Sequence, residues 1–170
     1  INNTGRDRVI DELRRCLVSQ ATLDIASPAF SLFAYGELRE LLAHVSKCRI
    51  VVPDPSSTDL SLLGSESDRP FRNRLQARWL ARQCVQWLEK KAEVRSLAGQ
   101  IPQATVITGL ADQGFTRVIS GNAAFTTEGL GITPGNQFSL IQCSESPEEC
   151  SLLGSWFTGL WNNLPASSDS

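Results

Sequence analysis

Histidine is nearly absent from this 170-residue chain: His44 is the only one, and there is no methionine and a single tyrosine. One imidazole leaves no room for acid–base chemistry that takes two from the same chain, and it removes the usual nitrogen ligands of zinc. Five cysteines (Cys16, Cys48, Cys84, Cys143, Cys150) include no Cys-x-x-Cys pair, and an odd number cannot close into a full set of internal disulfides. They are expected to be mostly buried thiols, and neither a metal nor a cofactor is expected. The chain lacks Gly-x-x-x-x-Gly-Lys-Ser/Thr, Gly-x-Gly-x-x-Gly and Gly-x-Ser-x-Gly, which argues against a phosphate loop, a dinucleotide fingerprint and a serine-hydrolase elbow. Long apolar runs are missing too. Stretches such as Ile50-Val51-Val52 are far too short to cross a bilayer, so the expectation is a soluble, cytoplasmic chain without a membrane partner.

What is present suits a packed domain. Hydrophobic residues make up 41% and charged ones 20%, with four Trp and seven Phe, enough apolar surface to offset the entropy of ordering one domain. The formal charge of −2 hides an uneven distribution. Residues 69–95 hold six Arg and two Lys against Glu89 and Glu93, so this segment is +6 and the remainder −8. Within it Arg74, Arg78 and Arg82 recur every fourth residue and predict a cationic stripe on a helix. An apolar stripe of Phe71, Leu75, Trp79, Leu80, Cys84, Trp87 and Leu88 runs beside it. Such a stripe serves either as a solvated, salt-bridged face or as a binder of phosphates, which arginine forks hold well.

Helical and extended patterns alternate. The spacing predicts helices over 6–17, with Thr4 as cap, over 35–45, over 70–91 and from Ser146-Pro147 through Trp161. Strands are predicted at 22–26, 49–52, 92–97, 104–108, 116–120 and 137–143, with a Ser/Asp/Pro-rich loop over 54–68. Helices alternating with strands imply an α/β layered fold. The aromatic stripe Trp156, Phe157, Leu160, Trp161 is expected to be mainly core, and His44 to lie at a helix end on the surface. The Ser-rich stretch 165–170 reads as a linker toward a further domain, leaving 1–164 as the domain proper.

The run 118–131, Val-Ile-Ser-Gly-Asn-Ala-Ala-Phe-Thr-Thr-Glu-Gly-Leu-Gly, resembles the Gly-Ser-x-Asn-Phe-Thr-x-x-Gly-Leu segment of the phospholipase D superfamily. Leu23-Asp24-Ile25-Ala26-Ser27 with Phe30-Ser31-Leu32-Phe33, Trp79-Leu80-Ala81 with Trp87-Leu88, and Trp156-Phe157 with Leu160-Trp161 extend the likeness along nearly the whole chain. They are similar to the phospholipase D-like domain that precedes some bacterial superfamily 2 helicases and restriction-associated ATPases. The resemblance implies a layered α-β-α sandwich with a mixed central sheet, a helicase or ATPase domain in the same protein, and a homodimer by analogy. It also implies a phosphodiesterase or nuclease ancestry. In that family a His-x-Lys pair supplies a nucleophilic imidazole and a phosphate-holding ammonium, and the Ser and Asn of the later run complete the pocket.

At these positions the chain departs from the family. Gln103 stands in place of the histidine and Thr105 in place of the lysine, while Asn122 replaces the Ser and Ala124 the Asn. Phe138 lies near a position often held by glutamate. Glutamine offers no nucleophilic imidazole, and threonine brings no positive charge to a phosphorane. The expectation is a catalytically inactive domain that binds nucleic acid, DNA foremost, or docks a partner. Arg74, Arg78 and Arg82 would meet phosphates, with Ser120, Asn122, Thr126 and Thr127 as a neutral polar remnant of the pocket. Two alternatives stand beside it. One is an active nuclease rebuilt around Asp112, Asn122, Glu128 and a metal. The other is a structural dimerisation or docking domain using Phe115, Phe125, Phe138 and the Trp156–Trp161 face.

Overall fold

A computed structural model describes residues 1–54, 74–135 and 139–166. The fold is mixed α/β, with four helices and a six-stranded mixed sheet. In chain order the elements are α1 (Val9–Cys16), β1 (Thr22–Ala26), α2 (Leu32–Leu42), β2 (Lys47–Pro53), α3 (Arg74–Lys91), β3 (Ala92–Leu97), β4 (Ala104–Leu110), β5 (Gly114–Gly121), β6 (Ile141–Ser144) and α4 (Pro147–Asn163).

The sheet order is β3-β2-β1-β4-β5-β6. β1, β2 and β3 run parallel, as βαβ connections through α2 and α3 require, whereas β4, β5 and β6 form an antiparallel set joined to β1. Side-chain alternation sends Leu23, Ile25, Ile50, Val106 and Ile119 to one face, where they meet α1, α2 and α3. Ala26, Val51, Ile107 and Val118 point to the other, against Phe157 and Trp161 of α4.

Where boundaries differ from the sequence expectation, local hydrogen bonds decide. Thr4 does not cap α1: residues 3–7 form a turn with Asn3 at φ 56° and Gly5 at φ 58°, and the helix begins after Arg8. α2 begins earlier than periodicity predicts because the Ser31 hydroxyl accepts from the Phe33 and Ala34 N–H groups at 3.2 and 3.4 Å. Ser146 precedes α4 without a side-chain cap bond, and Pro147 with Glu148 and Glu149 in the first turn sets that end instead. Of the strand predicted at 137–143, residues 139 and 140 precede β6, which runs Ile141–Ser144, and 137 and 138 lie outside the described residues. The predicted loop at 54–68 and the expected start of α3 near Pro70 lie almost entirely outside the described residues, as do Phe71 and Phe138, most of the 165–170 stretch, and the side chains of Arg74 and Leu75.

Polar contacts tie the elements together on both faces of the sheet. The Trp87 indole N–H donates to the Leu42 carbonyl at 2.9 Å, tying α3 to the end of α2. On the opposite face Arg49 grips Asp24 through two bonds of 2.7 Å, beneath Phe157 and Trp161, while Arg95 donates to the carbonyls of Trp161 and Leu164 at the close of α4. Among the described residues no helix is long and apolar enough to cross a membrane.

Candidate nucleic-acid interface

The residues singled out by the late motif converge at one end of the sheet. Ala104 pairs with Gly121 and Thr105 with Ser120, so the start of β4 and the end of β5 lie side by side, next to Ala26 at the end of β1. This is where the sheet changes from parallel to antiparallel, at the carboxyl end of β1, a natural place for a crevice in an α/β fold. Gln103, Ser120, Asn122 and Gln142 line one cavity of about 310 Å³. Asn122, Ala124, Thr126 and Glu128 line a neighbouring one of about 200 Å³. Asn122 and Ser139 border both, and the Asn122 amide donates to the Ser139 hydroxyl at 3.0 Å.

The loop behind these residues is fixed by the backbone. Gly121 has φ 118°, and a Cβ there would collide with the Leu140 carbonyl, which accepts from the Asn122 N–H at 3.0 Å. The Phe125 N–H donates to the buried Ser27 hydroxyl at 2.9 Å, its carbonyl accepts from the Ser31 N–H, and its ring stacks on Phe30 at 4.9 Å. Ser27, Phe30, Ser31 and Phe125 thus hold the segment together and leave the chemistry-bearing positions to their neighbours.

Chemically the crevice is polar and almost uncharged. Its amides and hydroxyls can donate to an anion, but neither cavity has a lysine, arginine or histidine among its lining residues. Thr105, in the lysine's place, is buried. His44 is exposed in the turn before β2, beside Gln20 and Ser46, at the end of the sheet opposite Gln103. The alternative metal constellation also comes apart: Asp112 sits in the β4–β5 turn and Asn122 follows the far end of β5, separated by a strand roughly 25 Å long. Asn122 and Glu128 do share a cavity.

The cationic helix is close by. Arg78 and Arg82 are exposed, and neither meets a carboxylate among the described residues. By contrast Arg8, Arg15, Arg49, Arg95 and Arg117 each face an acid. α3 reaches the motif loop through Gln76, Trp79 and Leu80, which line a third cavity of about 300 Å³ together with Thr127. Thr126 and Thr127 therefore border different cavities on the two sides of one loop.

Two assignments within the apolar stripes need correction. Leu80, Cys84 and Trp87 are buried, but Trp79 is 47% exposed; with Arg78 beside it, an indole inside a cationic stripe was the available signal. On α4 Phe157 and Trp161 are core, whereas Trp156 is half exposed and Leu152 is 70% exposed. Of the thiols, Cys48, Cys84 and Cys150 are buried, Cys16 is partly so and Cys143 is exposed. No protein-family model matches the chain, and no curated protein matches it.

Proposed function

We propose that the chain is a phospholipase D-like α-β-α module that has lost phosphodiester chemistry and binds nucleic acid for a helicase or restriction-type ATPase of the same protein. The observation that carries the reading is the pair Arg78 and Arg82, exposed and without a carboxylate partner among the described residues, on a helix that lines a cavity with Thr127 of the motif loop. An arginine left unpaired at the surface costs nothing in folding and is ready to replace the counterions of a phosphate backbone. The resemblance of 118–131 supplies the ancestry, and the convergence of Gln103, Ser120, Asn122 and Thr126 supports it. With amide and hydroxyl donors, the Glu128 carboxylate and no cation among its lining residues, that crevice lacks the charge that would stabilise a phosphorane, and the phosphate contacts fall to the arginines.

The test is fluorescence anisotropy with a labelled DNA duplex across a salt series. Binding is expected to be tolerant of sequence and to weaken as salt rises. Arg78→Glu and Arg82→Glu should each lower affinity and reduce the salt slope by about one counterion. Unchanged affinity in the double variant, or no binding by the parent chain, sinks the proposal.

A second reading has its own observation. Leu140, Leu152 and Trp156 are exposed around the short edge strand β6 and α4, beside a cavity of about 410 Å³ lined by Gln142, Cys143, Leu152 and Leu153. Apolar surface at a sheet edge suits docking or self-association. Light scattering showing a dimer, together with no affinity for DNA or RNA, would select this reading instead.

A further inference from the structure

The cavity between α2 and α3 is built unlike the neutral crevice. Gly36 brings the two helices together, since a Cβ there would lie 2.8 Å from Leu80 Cδ2, and this contact forms a firm apolar floor. Above it stands Trp79, with the Arg39 guanidinium 4.7 Å from its ring centroid. Arg39 is held there by the ring and by a 4.0 Å approach to Glu40, the longest ion pair among the described residues. Glu37 and Gln76 also line this space of about 300 Å³, and the Glu37 carboxylate lies 3.9 Å from the Arg14 guanidinium. Arg82 is three residues after Trp79 and so on the same side of α3, and Arg78 precedes it.

A half-exposed indole with a guanidinium 4.7 Å over its ring presents a flat π face that another planar group can cover. We propose that this cleft takes one unpaired base of a single strand, stacked on Trp79, with flanking phosphates held by Arg78 and Arg82. The base takes the place of the Arg39 guanidinium on the ring, and Arg39 swings to the adjoining phosphate. Glu37 and Gln76 meet the polar edge of the base. A duplex keeps its bases stacked on one another and offers no such face, so the cleft favours single strands while the arginines serve either form.

The inference rests on the nucleic-acid reading, and its test separates the two. A short single-stranded oligonucleotide of mixed sequence and its blunt duplex are titrated against the parent chain and against Trp79→Ala, Trp79→Phe and Arg78→Glu. Binding is followed by anisotropy and by tryptophan fluorescence. Trp79→Ala is expected to weaken single-strand binding about tenfold or more and leave duplex binding within about twofold, with Trp79→Phe recovering most of the loss. Quenching of indole fluorescence on adding the single strand should vanish in Trp79→Phe. Because Trp79 is half exposed, these variants keep the fold, which a thermal melt checks. If Trp79→Ala binds the single strand as the parent does while Arg78→Glu weakens it, the base slot is refuted and the arginine interface survives. If Trp79→Ala loses both forms equally, the preference for single strands is refuted. If the parent binds neither form, both readings fall.

Discussion

Asp24 and Arg49 offer the sharpest test of how the sheet is held. The carboxylate is 4% exposed, and the guanidinium meets it through Nε–Oδ1 and Nη2–Oδ2 bonds of 2.7 Å across the β1–β2 ladder. The side chain of Arg49 is 16% exposed, lies 5.1 Å from the Phe157 ring centroid and reaches the Thr158 hydroxyl at 3.4 Å. Arg49→Met keeps the packing but strands a buried anion, at a cost of about 3–5 kcal/mol. For a chain of this size each kcal/mol moves the midpoint by about 2–4 °C, so the melt should fall by roughly 6–20 °C. Asp24→Leu alone should cost a similar amount by leaving the guanidinium unpaired under two aromatic rings. Asp24→Leu with Arg49→Met removes both charges and should return to within about 2 kcal/mol of the parent, because an apolar pair of like volume often replaces a buried ion pair without loss. Chemical denaturation of the four proteins completes a double-mutant cycle with a coupling of at least about 4 kcal/mol. Additive single losses, or a cost below about 1 kcal/mol for Arg49→Met, would refute the claim that this pair is desolvated and mutually required.

Two further outcomes follow from the geometry. Gly121→Ala forces a side chain into a left-handed position against the Leu140 carbonyl, and it is expected to cost about 2 kcal/mol or more in denaturant unfolding; a melt like the parent's would mean that the loop is looser than drawn. Burial pushes the thiols of Cys16 and Cys84 up to about 11, so the folded state holds protons that the unfolded chain releases near pH 9. Their stabilising contribution is complete below pH 9 and disappears as pH climbs through 11, by at most about 1.4 kcal/mol per unit per thiol. Cys84→Ala should flatten that alkaline decline, as read from unfolding curves between pH 8 and 11; an unchanged slope counts against it.

The elements legible in the sequence are those with a strong period or a β-branched run. The strand at 92–97 and the hydrophobic faces of α1 and α2 emerged from spacing, and 22–26 was read as extended despite its central aspartate. Of the positions named from the late motif, Gln103, Ser120 and Asn122 line one cavity and Asn122 and Thr126 the next, while Thr127 borders a third. Spacing did not reveal which residue of a stripe faces the interior. Trp79 and Trp87 are two turns apart and look alike in sequence, yet among the described residues only Trp87 finds a carbonyl to accept its N–H. Nor did it reveal the pairing of Asp24 with Arg49 or of Glu12 with Arg117, because partners from different elements meet only when the sheet register is known. Asp112 shows the converse. Near Asn122 in sequence, it is carried away by a whole strand, so proximity along a hairpin is a poor guide to a shared site.

The seam between β1 and β4 bears on how the molecule assembles. β4 and β5 are neighbours in the chain and can zip together at once, but β4 reaches β1 only after nearly all of the parallel half has been threaded between them. That pairing brings Gln103 and Ser120 beside Ala26, so the crevice draws its walls from strands far apart in the chain, and a ligand seated across the seam would act as a clasp between the two halves of the sheet.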